Sequence, residues 1–290
     1  MKTLEDSLRR DDESVKGDSH LELNTGSIQQ INRSITKDLL SQAERLSKGL
    51  ACKVYRVDAK TVVKTGDDIR MAEAATMRFV RENTMLPVPE VLDAYVDAES
   101  SHVCIVMEYI DGRPLDEEWD SYDEVQKRSV ESQLQEYLKE MRQISGIFVG
   151  SVDGSSCHDQ LFDDVPTLSG PFESEIAFHE GLISAMKEKG SSTWTDMVIR
   201  FIEKLPPHRI VFTHNDIAPR NILVREAKVV GIVDWEFAGY YPEYWEYVKA
   251  FCWPDWQSNW IKEGVLDNIL EPYTLELAYI MHARNIIWGF

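Results

Sequence analysis

The chain has 290 residues, 43% of them hydrophobic, and a formal net charge of -19 at pH 7. That length and apolar content can bury a large core, more readily as two lobes than as one unit. So negative a surface repels phosphodiester backbones and anionic membranes, which argues against nucleic acid or membrane as the main partner. It would tolerate or attract cationic small molecules, although solubility alone accounts for it.

Cys52, Cys104, Cys157 and Cys252 form no CxxC pair, and three lie in or beside apolar runs, as reduced core thiols do. The first twenty residues lack the apolar centre of a secretory signal, and no window reaches the roughly 18 to 20 apolar residues of a membrane span. A cytoplasmic location is expected.

In chain order, residues 1–28 are polar and mixed in charge and read as a mobile tail or a loosely attached helix. From Ser27 to Leu46, Ile28, Ile31, Ile35, Leu39, Leu40 and Leu46 recur at helical spacing. The period then changes: LACKVYRVDAKTVVKTG alternates around an Asp58-Ala59-Lys60 turn, which predicts a β-hairpin. A helix follows, capped by Asp67 or Asp68, with Met71, Ala74, Ala75, Phe79 and Val80 on one stripe. Two prolines in LPVPEVLDAYVDAES end it and lead into a strand. His102 to Ile110 is an apolar run of strand length, closed by Asp111-Gly112. From Pro114 to Leu205 the pattern is mainly helical, with Val125, Val130, Leu134, Leu138 and Met141 on one face and a Gly, Ser and Asp-rich loop from Gly146 to Gly170. Three short apolar runs come next, RIVFTH, NILV and VVGIVDW. The remainder, Tyr240 to Phe290, reads as helical and rich in tryptophan. The expected class is α+β: a tail over 1–28, a small β-rich N-lobe over 29–110, and a larger, mainly helical C-lobe over 111–290.

The polar cluster His214-Asn215-Asp216 interrupts two of those apolar runs, with Asn221 five positions after the aspartate. If NILV and VVGIVDW pair as a hairpin, Asp234 falls at a strand end beside Asn221. An aspartate, an asparagine and a second carboxylate at one strand edge make a hard-cation site of the Mg²⁺ type. In phosphoryl transfer of the kinase kind one aspartate accepts the hydroxyl proton, while an asparagine and another aspartate hold the metal. Asp216, Asn221 and Asp234 fit those roles in that order.

These segments resemble the aminoglycoside phosphotransferase and choline kinase-like family, which has a bilobal protein-kinase-like fold. The resemblance runs from about residue 30 to the end. HNDIAPRN is similar to the family's HGDxxxxN loop and IVDWEFAG to its metal-binding segment. The run DWEFAGYYPEYWEYVKA looks very like that of fungal small-molecule kinases in the family. The resemblance implies that Asp216 is the catalytic base, that Asn221 and Asp234 bind Mg²⁺, and that His214 supports the loop. It implies that Lys64 contacts nucleotide phosphates and that Glu73 is its ion-pair partner. Backbone groups of Glu108 and Tyr109 would meet the adenine of ATP, or the base of GTP, and Asp111 the ribose. The acceptor would be a small hydroxylated molecule, with its pocket built from the 114–205 insert and the aromatic C-terminal end. Ala218 stands where protein serine/threonine kinases carry a lysine, and no APE segment follows Asp234, which argues against a protein substrate. Two alternatives stay open: a silent, pseudokinase-type binding module, and a kinase of the choline, ethanolamine, homoserine or fructosamine type. Only Gly49 stands where a glycine-rich loop is expected.

Overall fold

Alternating apolar residues on either side of the Asp58–Lys60 turn build the hairpin that the sequence predicts. The structure is a computed structural model that describes residues 37–47, 52–252 and 254–289. The expected tail, Gly49 and Trp253 lie outside the described residues. Helix α1 (Lys37–Gln42) stops short of Leu46, and a two-residue strand β1 (Glu44–Arg45) pairs with β2 (Cys52–Arg56). Strand β2 pairs with β3 (Thr61–Gly66), setting Lys64 opposite Val54. Helix α2 (Met71–Asn83) follows, then β4 (Val91–Val96) and β5 (Val103–Glu108), completing an antiparallel sheet of order β1-β2-β3-β5-β4. The apolar run at β5 is thus an interior strand, with Lys64 opposite Ile105.

Neither Asp67 nor Asp68 caps α2. Arg70 is its N-cap, without a side-chain bond to the helix. Asp67 lies 2.6 Å from His102 Nε2 instead, and the Arg70 guanidinium donates to Ser155 Oγ and the Ser156 carbonyl. Tertiary partners win over the local cap.

The helical part begins with β6 (Arg113–Pro114) and α3 (Leu115–Glu118). Helix α4 (Glu124–Met141) opens on a capping box of Asp123 and Gln126 and buries Val130, Leu134, Leu138 and Met141; Val125, at its first turn, is exposed. Helices α5 (Glu175–Glu188) and α6 (Thr193–Ile202) follow the 146–170 loop. Strand β7 (Ile210–Thr213) precedes the hairpin of β8 (Ile222–Arg225) and β9 (Lys228–Ile232). The stretch from Tyr240 is not wholly helical. Strand β10 (Gly239–Pro242) pairs with β7, so the RIVFTH run belongs to a two-stranded sheet of its own. Then come α7 (Trp245–Ala250), α8 (Asn259–Lys262), α9 (Val265–Ile269) and α10 (Thr274–Trp288), the last packed on α5, α6 and α7.

Two apolar clusters hold this frame. One joins the five-stranded sheet to α4 and the β8–β9 hairpin; the other gathers Phe178, Trp245 and their neighbours from α5, α6 and α10. The four cysteines are free. Among the described residues no helix is long and apolar enough to cross a membrane.

Candidate active site

The loop between β7 and β8 carries His214, Asn215 and Asp216, and its shape follows from buried hydrogen bonds. Asn215 has φ 67°, in the left-handed region that asparagine tolerates better than most residues. Its amide donates to the Phe237 carbonyl at 3.0 Å and accepts from Thr213 Oγ1 at 2.9 Å. The backbone N–H groups of His214 and Asn215 donate to the two oxygens of Glu246, at 2.6 and 2.8 Å. Glu246 is fully buried on α7, and burial pushes its carboxyl up to about 7 despite those two bonds.

His214 is also fully buried. Its Nδ1 accepts the Asp216 N–H at 3.2 Å, so its Nε2 carries the proton and donates to the Val233 carbonyl at 3.1 Å. Burial lowers its pKa, which favours that neutral form. The imidazole therefore ties the Asp216 loop to the chain just before Asp234.

The β8–β9 hairpin brings Asn221 and Asp234, the ligands expected from the sequence, to neighbouring positions. Ile222 lies opposite Ile232, and the Val233 N–H donates to the Asn221 carbonyl at 3.0 Å. Asp234 follows with φ 69°, a second left-handed residue outside glycine. Asn221 Nδ2 donates to Asp216 Oδ2 at 2.7 Å and to the Asp216 carbonyl at 2.9 Å. Those partners only accept, so the amide nitrogen must face them and Oδ1 points away from Asp216, able to accept.

Lys64 reaches across from β3. Its Nζ donates to Glu73 Oε1 on α2 at 2.8 Å and to Asp234 Oδ1 at 2.6 Å, and it lies 3.5 Å from Glu236 Oε2. Lys64 and Glu73 are both buried, so theirs is not a surface ion pair. Burial works against the Lys64 charge, but Glu73, Asp234 and Glu236 outweigh it and hold its pKa well above the usual value. Burial raises Glu73 in spite of Lys64. Asp234 is also disfavoured by burial, yet Lys64 holds its carboxyl below the ordinary range. Burial and then the Asp234 charge push Glu236 up to about 7.

Glu108 and Tyr109 do not present free N–H groups. That of Glu108 is taken by the Glu90 carbonyl at 2.9 Å and that of Tyr109 by the Lys60 carbonyl at 2.7 Å. A base bound here would have to use carbonyl oxygens or the residues that follow. Arg56 sits over the Tyr109 ring at 3.9 Å, and Asp111 lies 3.5 Å from Arg225.

Sequence reasoning missed Glu246 and left Arg220 unassigned. Glu246 stands in a run of aromatic residues, and nothing in the sequence shows that its partners lie 31 and 32 positions earlier. Arg220 Nη2 donates to both Asp216 oxygens, at 2.7 and 2.8 Å.

A buried strand lysine paired to a helix carboxylate, and a loop aspartate beside an asparagine with a second aspartate close by, make up the arrangement of a kinase-like phosphotransferase. The chain belongs to the phosphotransferase enzyme family (APH), whose model matches residues 43–274. Its fold is similar to a thermostable mutant of aminoglycoside phosphotransferase APH(4)-Ia, solved as a ternary complex with AMP-PNP and hygromycin B. The two are 17% identical with a TM-score of 0.56, over 87% of this chain and 89% of that one. The streptomycin-ATP-APH(2")-IIa ternary complex is 19% identical with a TM-score of 0.53, over 90% and 92%. APH(2'')-Ib bound to ADP is 18% identical with a TM-score of 0.54, over 89% and 91%. At these identities the likeness is one of fold. No curated protein matches the chain.

Proposed function

We propose that the protein transfers the γ-phosphoryl group of ATP, or of GTP, to a hydroxyl of a small molecule. One observation carries this reading. Lys64 on β3, Glu73 on α2 and Asp234 after β9 meet at a single ammonium, next to the loop that joins Asp216 to Asn221.

The donor set fits Mg²⁺. Glu73, Asp234 and Glu236 surround one ammonium, and the carboxyl of Glu236 is pushed up to about 7 by burial first and then by the neighbouring Asp234 charge. Asn221 Oδ1 and the second oxygen of Asp234 are hard ligands of the kind magnesium takes alongside phosphate oxygens. When bound, Mg²⁺ would neutralise charge on the transferred phosphates. Lys64, aimed by Glu73, would neutralise the phosphates from the other side. Asp216 would accept the acceptor proton as the acceptor oxygen bonds to the γ-phosphorus and the bond from that phosphorus to the ADP oxygen breaks. His214 and Glu246 would fix the direction of Asp216, since most of the catalysis is positioning.

The test is ADP release with Mg·ATP or Mg·GTP over a panel of hydroxylated amines, amino acids and sugars. Asp216→Asn should lower turnover about 100-fold or more, the usual worth of a general base, and leave nucleotide affinity intact. Full turnover in that variant would remove Asp216 from the role of base.

A further inference from the structure

The carboxylate assigned as base is covered. Arg220 Nη2 spans both of its oxygens, and Asn221 Nδ2 donates to Oδ2 as well. Those three bonds leave about one of the four lone-pair sites of the carboxylate, so an acceptor hydroxyl must share Asp216 with the guanidinium unless Arg220 moves.

Arg220 is suited to moving. Its side chain is 53% exposed, and ion pairs this open to water are held weakly. One nitrogen straddling two oxygens is also not the parallel, two-nitrogen grip that a guanidinium makes with an oxyanion. Among the described residues no hydrogen bond engages Nε or Nη1. Arg220 lines a cavity of about 490 Å³ together with Asp216, Ile217, Phe237, Lys249 and Trp260. Lys249 is buried, and the one hydrogen bond its ammonium makes among the described residues is to Asp159 Oδ1, at 3.2 Å. Two cations with unused N–H groups therefore stand at the wall beside the base. Asp116, Asp120 and Asp255 line the same cavity and disfavour a molecule with several negative charges.

We propose that the acceptor carries one oxyanion, a carboxylate or a phosphate, close to the hydroxyl that is phosphorylated, and that Arg220 receives it and so uncovers Asp216. The proposal rests on the kinase reading above. A neutral alcohol offers the displaced guanidinium nothing, so it leaves the base covered. The rest of the acceptor, facing the three aspartates, is neutral or cationic.

The experiment compares wild type, Arg220→Gln and Arg220→Lys. The thermal midpoint with Mg·ATP, and separately with Mg·GTP, is read first; no shift in wild type with either would sink the kinase reading and this proposal with it. ADP release is then read with two matched pairs of probes: L-serine against ethanolamine, and glycerol 3-phosphate against glycerol. Wild type should respond to the member of a pair that carries the oxyanion, L-serine or glycerol 3-phosphate, and not to its partner; which pair responds separates carboxylate from phosphate. The KM for that probe should rise about tenfold or more in Arg220→Gln, as expected for the loss of a hydrogen bond to a charged group, with partial recovery in Arg220→Lys. Without any probe, Arg220→Gln should hydrolyse ATP to ADP, phosphate and a proton faster than wild type, because water reaches an uncovered Asp216. Equal responses within both pairs, including none, overturn the proposal when a shift with either nucleotide is present. So does an unchanged KM in Arg220→Gln.

Discussion

Replacing Glu246 by glutamine tests how the loop that carries Asp216 is held. Glu246 is fully buried and accepts the N–H groups of His214 and Asn215. Burial moves its carboxyl from an ordinary 4.5 to about 7, a difference of about 2.5 pH units, worth about 3 kcal/mol. The folded protein thus holds this proton more tightly than the unfolded chain. The stability it contributes is complete below about pH 4.5 and is lost as pH rises through 7. Glutamine does not titrate, and its amide can accept only one of the two N–H groups. It should cost about 1–3 kcal/mol at pH 5, the penalty of one unsatisfied buried donor. That deficit should shrink by about 2 to 3 kcal/mol between pH 5 and pH 8, as wild type loses its own contribution. Urea unfolding of both proteins at pH 5, 6, 7 and 8 measures it. A deficit that stays constant across that range would refute the assignment of a buried, titrating Glu246.

Two further substitutions probe the frame and the site. Phe178 is fully buried, its ring centroid 4.7 Å from that of Trp245, with Phe162, Phe172 and Tyr241 around it. Phe178→Ala should destabilise by about 3–5 kcal/mol in urea unfolding; a loss below 1 kcal/mol would mean the second apolar cluster is not packed as described. Lys64→Met removes the ammonium that Glu73, Asp234 and Glu236 share. It should lower phosphoryl transfer about 100-fold or more, and near-normal ADP release would contradict the site.

The parts that were legible in the sequence are those written in local pattern. The alternation around Asp58–Lys60 specified a hairpin, and the 3.6-residue stripe of α4 specified its buried face. The spacing anticipated that Asn221 reaches Asp216 and that Asp234 follows the residue bonded to the Asn221 carbonyl, because the β8–β9 hairpin is itself local. What escaped depends on distant partners. Strand β10 has four residues, and its identity comes from pairing with β7, some 26 positions earlier at Gly239 and Thr213. The cap expected from Asp67 or Asp68 yielded to His102 and to the Arg70 contacts with the 146–170 loop. Glu246 carries no signal among its aromatic neighbours until α7 turns it under the loop that carries Asp216. That the N–H groups of Glu108 and Tyr109 are bonded to the Glu90 and Lys60 carbonyls, leaving carbonyl oxygens as the backbone groups a base could meet, is likewise revealed by no side-chain pattern.

The most direct test of the account is the thermal unfolding midpoint with and without Mg·ATP, for wild type and Asp234→Ala. Nucleotide at a hundred times its dissociation constant should stabilise wild type by about 2.7 kcal/mol. Wild type should show a clear rise that needs Mg²⁺ and vanishes in Asp234→Ala. An equal rise in both proteins, or none in wild type with either ATP or GTP, would contradict a metal-dependent nucleotide site between Lys64 and Asp234.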